Sequence, residues 1–108
     1  MTFDEYQEAA MRTASTIQDM DLLLLNGVMG LNGEAGECID LLKKNMFQGH
    51  DLDDEKLMNE LGDVLWYAAI IAKSRGHLLS DAASMNITKL KKRYPNGFDA
   101  EKSINREV

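Results

Sequence analysis

Apolar residues recur at steps of three and four along most of the chain, and strict apolar–polar alternation is nearly absent. That period places side chains on one face of a helix with 3.6 residues per turn. Phe3, Tyr6, Ala10, Ala14 and Ile17 define a first helix, and Thr2 with Glu5 offers a capping box at its start. A second helix is predicted from about Leu22 to Asn45, stopped by Gly49 and followed by the polar loop QGHDLDDE. A third starts at Asp53 or Asp54 and runs to about Arg75. Leu57, Leu61, Val64, Leu65, Ala68, Ile71 and Ala72 give it a broad apolar face, and Gly76 ends it. The fourth takes Ser80 as its N-cap, with Asp81 in the first turn, and ends at Tyr94 before Pro95 and Asn96-Gly97. The tail from Phe98 reads as irregular. The expected fold class is all-α, a bundle of four to five helices in a single domain over residues 1–108.

The stretch VLWYAAIIA, Val64 to Ala72, is apolar on every side. A helix of that kind has to be surrounded by others, and four helices in one small chain do not easily enclose it. A homodimer or tetramer that completes the bundle is the expected remedy. With 108 residues the chain can bury a modest core. The net charge of -6 and pI of about 4.8 argue against binding nucleic-acid polymers through a basic surface. The lone Cys38 permits no disulfide within the chain and fits a reducing cytoplasm. The acidic, polar N-terminus shows no signal peptide, and no apolar run approaches the roughly 20 residues that span a bilayer, so no membrane partner is expected.

Candidate chemistry begins where the second helix looks least like a helix. GLNGEAGECIDLLKKN sets Gly30, Gly33 and Gly36 among Glu34 and Glu37, with Gly27 just upstream. Each glycine inside a helix costs about 1 kcal/mol relative to alanine. Their spacing clears a strip along which another helix or a ligand can approach. That reading is favoured for Gly33 and Gly36, whereas at Gly27 and Gly30 a kink or break is an equal alternative. The third helix carries a second acidic pair, Glu60 and Asp63. Residues three apart share a helix face. If helices two and three form an antiparallel hairpin around Gly49, Glu37 and Glu60 lie at matching distances from the loop, and the two pairs face each other. Four carboxylates beside a strongly apolar stretch demand a positive counter-charge. Hard oxygen ligands with neither His nor Cys among them favour Mg²⁺, with Mn²⁺ as the alternative, over Zn²⁺. Solvated surface acids at chance spacing are the plainer alternative, and two pairs at mirrored distances, each set among apolar and small residues, favour the metal over it.

At this point three blocks in order, GLNGEAGECIDLLKK, NELGDVLWYAAIIA and NITKLKKRYPNGF, resemble the MazG family of the all-α nucleoside triphosphate pyrophosphohydrolase superfamily. The resemblance covers roughly Leu22 to Phe98. The family pattern E-x-x-E, spacer, E-x-x-D falls on Glu34, Glu37, Glu60 and Asp63. Many members carry a further Glu immediately before the first motif Glu; here that position is Gly33. The resemblance implies a Mg²⁺-dependent enzyme that cleaves a nucleoside triphosphate between the α and β phosphates, a house-cleaning role in the nucleotide pool. It makes the four acids catalytic and metal-binding residues, with Glu34 or Glu37 activating water.

The fourth helix presents Asn86, Lys89 and Arg93 on one face, a basic strip suited to distal phosphates in an acidic protein. The helix dipole alone also favours cations there. Tyr67, one turn beyond Asp63, is placed to stack on or hydrogen-bond a nucleotide, and Lys44 is a further candidate phosphate ligand. Trp66 reads as core or interface, Cys38 as buried and inert, His50 and His77 as exposed loop residues, and the seven methionines as core filler. The competing readings are a phosphoribosyl-ATP pyrophosphatase-like enzyme and a non-catalytic helical interaction module. A di-iron carboxylate bundle is disfavoured, because no histidine accompanies the motif acids.

Overall fold

The computed structural model describes residues 1–14 and 16–106. Five helices account for most of them: α1 Phe3–Met11, α2 Met20–Phe47, α3 Asp54–Ser74, α4 Leu79–Arg93 and α5 Ala100–Ile104. No strand occurs among the described residues, so the expectation of an all-α chain holds. The first helix opens with the predicted capping box. Glu5 N–H donates to the Thr2 hydroxyl at 3.1 Å, and Thr2 N–H donates to the Glu5 carboxylate at 2.9 Å. Asp19 and Asp53 cap α2 and α3 in the same manner, each accepting two backbone N–H groups of the first turn. Gly49 and Gly76, with φ of 72° and 73°, end α2 and α3 in the left-handed conformation that glycine adopts without a Cβ penalty.

Several boundaries differ from the sequence expectation. The first helix stops at Met11 instead of reaching Ile17, because the Ala10 carbonyl is taken by the backbone N–H and hydroxyl of Thr13 and by the Trp66 indole N–H. The fourth helix starts at Leu79, so Ser80 lies inside it. The helix entry is fixed instead by the Asp81 carboxylate, which accepts from Leu78 N–H at 2.9 Å. The tail forms the short helix α5, capped by Asp99. The seven methionines do not fill the core. Met1, Met20, Met29, Met46, Met58 and Met85 are all exposed, because a single chain offers them nothing to pack against.

An antiparallel hairpin of α2 and α3 forms the body of the molecule, and its register follows the glycines. A Cβ on Gly27 would lie 2.8 Å from Ile71 Cγ1, and one on Gly30 would land on the Tyr67 ring. Close approach therefore operates at Gly27 and Gly30, within an unbroken helix. Gly33 and Gly36 have open space around them, the reverse of the sequence reading. The buried core is small: Leu23, Ala69, Ile70 and Leu79. Gln7 ties α1 to this core. Its amide donates to the Ala69 and His77 carbonyls at 3.2 and 3.3 Å, and its carbonyl accepts Leu79 N–H at 2.8 Å.

Candidate metal centre

The hairpin register brings acids together just as it brings glycines onto bulky side chains. Moving along α2 from Gly27 to Gly30 to Glu34 is matched by moving back along α3 from Ile70 to Tyr67 to Asp63. Glu34, Glu60 and Asp63 meet there, each offering a carboxylate oxygen, all within 4.8 Å of one another. Glu34 and Glu60 are half-buried and Asp63 is exposed. A hydrogen bond between Glu34 and Glu60 raises the Glu34 pKa. Desolvation and the negative charges of Asp63, Glu60 and Glu37 add to the rise. Three converging hard oxygens with no imidazole or thiolate beside them suit a divalent cation of the magnesium type.

Glu37 lies one turn further along α2, exposed, and outside the three-carboxylate group, although its charge is felt at Glu34. Lys44 also senses Glu37, but its main partner is Asp40, 2.9 Å away. That ion pair raises the Lys44 pKa and lowers that of Asp40, with Lys43 assisting from 3.5 Å. Tyr67 fills the space left by Gly30, one turn from Asp63, and meets Trp66 edge-to-face with ring centroids 5.0 Å apart. The Trp66 indole donates to Ala10 O and to the Thr13 hydroxyl at 3.2 and 3.0 Å, which pins the end of α1 beside this part of α3. Asn86, Lys89 and Arg93 lie on α4, which packs against α1 and α3. Asn86 and Lys89 are exposed, and the half-buried Arg93 holds its guanidinium 5.8 Å from the Tyr94 ring centre.

The structure adds Tyr6, Asp40 and Gln7 to the residues the sequence singled out. Tyr6 is half-buried on α1. Its pKa is raised by burial and then by the negative charge of Asp63, which puts the phenol within the field of the acidic group. In the sequence it is one member of an apolar repeat, and no local signal separates it from Phe3. Asp40 follows Glu37 at the same three-residue step, a visible signal, yet it pairs with lysines. Cys38 is half-buried, and His77 is exposed with Nδ1 3.5 Å from Asp81. No helix among the described residues is long and apolar enough to cross a membrane.

Comparison with known proteins bears on this arrangement. A sequence model of the MazG nucleotide pyrophosphohydrolase domain matches residues 25–98, a span that contains all four motif acids. The Gene 37 protein of Mycobacterium phage L5 is 36% identical over 107 residues, covering 90% of this chain and 92% of its own length. No solved structure matches the chain.

Proposed function

The chain belongs to the MazG nucleotide pyrophosphohydrolase family, and on that premise we propose that it hydrolyses a nucleoside triphosphate between the α and β phosphates, releasing the monophosphate and pyrophosphate. The observation that carries this reading is the convergence of Glu34, Glu60 and Asp63 within 4.8 Å at the seam of the hairpin. These three residues would hold Mg²⁺ or a similar cation, which supplies charge neutralisation and polarisation of the attacked phosphorus. Glu37 stands one turn away, with its oxygens outside that group, and is the carboxylate free to orient water. The water oxygen bonds to the α phosphorus, the bond from that phosphorus to the α–β bridging oxygen breaks, and the water proton passes to the carboxylate.

Tyr67, whose ring lies against Gly30 one helical turn from Asp63, would contact the sugar or base. Lys44 stands on the Glu37 side and would exchange its Asp40 partner for a phosphate oxygen. Asn86, Lys89 and Arg93 would receive the distal phosphates.

The deciding assay incubates the protein with Mg²⁺ and a panel of canonical, deoxy and damaged triphosphates, with separate detection of pyrophosphate and orthophosphate. Pyrophosphate is the expected product. Orthophosphate, or no turnover across the panel, would remove the proposal. Glu37→Gln, Glu60→Gln and Asp63→Asn should each lower the rate at least about 100-fold while circular dichroism shows helicity retained.

A further inference from the structure

The first helix turns one face to a cavity and another to the acidic end of α3, and Tyr6 belongs to the second. Gln7 donates to the Ala69 carbonyl, and three residues later the Ala10 carbonyl accepts the Trp66 indole N–H, which also reaches the Thr13 hydroxyl. Three residues forward on α1 are thus matched by three back on α3, so the C-terminal end of α1 points towards Asp63. Asp4, Gln7, Glu8 and Met11 line a separate cavity of about 490 Å³ together with Lys73, Gly76 and His77. Tyr6 takes no part in that lining. It lies one turn before Ala10, on the face that meets Trp66. There Tyr6 is half-buried, whereas Phe3 one turn earlier is 48% exposed. The negative charge of Asp63 acts on the Tyr6 phenol. The hydroxyl itself has no hydrogen-bond partner among the described residues.

We infer that Tyr6 is a substrate-contacting residue whose hydroxyl donates a hydrogen bond to an α-phosphate oxygen of the nucleotide held at Glu34, Glu60 and Asp63. This contact rests on the reaction proposed above, and neither the two acidic motifs nor the basic strip of α4 supplies it. Carboxylates only accept hydrogen bonds once ionised, so a donor for the phosphate oxygens has to come from outside the acidic group. An ammonium in this place would pair with Asp63, as Lys44 pairs with Asp40. A phenol donates to a phosphate oxygen and leaves the carboxylate charge for the cation. The hairpin register divides the nucleotide. Tyr67 lies against Gly30, one turn beyond Asp63, on the side assigned to sugar or base. The distal phosphates are left to the cations of α4. The Tyr6 phenol, in the field of Asp63 itself, meets the phosphorus under attack. Gln7 and the Trp66 indole clamp α1 directly after Tyr6. The phenol is therefore placed before a ligand arrives, and little order has to be gained on binding.

Tyr6→Phe removes the hydroxyl and keeps the ring. With Mg²⁺ and a triphosphate that wild type cleaves, its kcat/KM should fall about 10- to 100-fold, the loss of one hydrogen bond to a charged group. The ribose-to-deoxyribose preference, the Tm and the rise in Tm with Mg²⁺ should stay as in wild type. Calorimetric titration with a non-hydrolysable α,β-methylene triphosphate in Mg²⁺ reads the contact without turnover, and the variant should bind at least about 5-fold more weakly. If wild type binds this analogue but cleaves nothing, the proposed reaction falls and the binding ratio alone decides on Tyr6. If wild type releases pyrophosphate and Tyr6→Phe matches it in kcat/KM, the reaction stands and the Tyr6 contact is overturned. A loss accompanied by a lower Tm, or by a changed sugar preference, overturns it too, since the hydroxyl then supports the fold or reads the sugar. A wild type that binds no nucleotide removes both.

Discussion

The hydrogen bond with Glu60 raises the Glu34 pKa, and the consequence is a stability that depends on pH and on cations. The folded-state pKa of Glu34 is raised, so the folded chain binds that proton more tightly than the unfolded chain does. The stabilisation is complete below the ordinary glutamate pKa and is lost as pH rises through the raised value, where carboxylate repulsion takes over. A divalent cation relieves that repulsion only after the proton has left. Scanning fluorimetry should therefore show a Tm increase with Mg²⁺ near neutral pH that shrinks as pH falls through the Glu34 transition. It should shrink likewise in Glu34→Gln at neutral pH. An increase of equal size at acidic and neutral pH would show that the cation binds elsewhere. The glycines offer a second residue-scale contrast. Gly30→Ala forces a methyl group into the Tyr67 ring and should destabilise by about 1–3 kcal/mol in denaturant titration. Gly33→Ala meets nothing and should stabilise by about 0.5–1 kcal/mol through better helix propensity.

Between elements, the joint that matters most is made by one polar side chain. Gln7 uses both ends of its amide to hold α1 against Ala69 of α3 and against His77 and Leu79 at the α3–α4 turn. Only 6% exposed, it leaves the Leu79 N–H without a partner when replaced by a group that cannot hydrogen-bond. Gln7→Leu is expected to cost about 1–3 kcal/mol and, by hydrogen exchange, to loosen α1 and the first turn of α4 more than the hairpin. Uniform loss of protection along α2 and α3 would contradict this division. Gln7 could not be singled out in the sequence, because its partners are 62 and more positions away. The four longer helices themselves were legible. Asp19 and Asp53 cap α2 and α3 through contacts two or three residues distant, and Gly49 and Gly76 stop them, whereas the short α5 after Asp99 was read as irregular.

For the whole molecule, the small core and large apolar exterior predict that stability follows association. Leu23, Ala69, Ile70 and Leu79 alone are buried hydrophobics among the described residues. If the exposed apolar residues of α2 and α3, such as Ile39 and Leu61, pack on a second copy as expected from the sequence, Tm must rise with protein concentration, since only the folded chain binds its partner. Thermal scans across a hundredfold concentration range check this, and a constant Tm would count against it. The methionines belong to the same scale. Sequence counts them as apolar and assigns them inward, but whether such a residue meets core or solvent depends on how many chains surround the helix.

Periodicity and local stop signals by themselves determined an all-α chain with helix ends at Gly49 and Gly76, because these follow from spacings within one or two turns; the hairpin that sets E-x-x-E opposite E-x-x-D followed from them only as a condition. The family blocks in the sequence pointed to the same four acids. Only the tertiary structure decided that Glu34, Glu60 and Asp63 converge while Glu37 stays outside them, and that Gly27 and Gly30 form the contact points where Gly33 and Gly36 had been expected. Helix crossing fixes which turn of α2 lies nearest α3. That geometry is set by side-chain volumes summed across both helices, a quantity no local stretch of sequence contains.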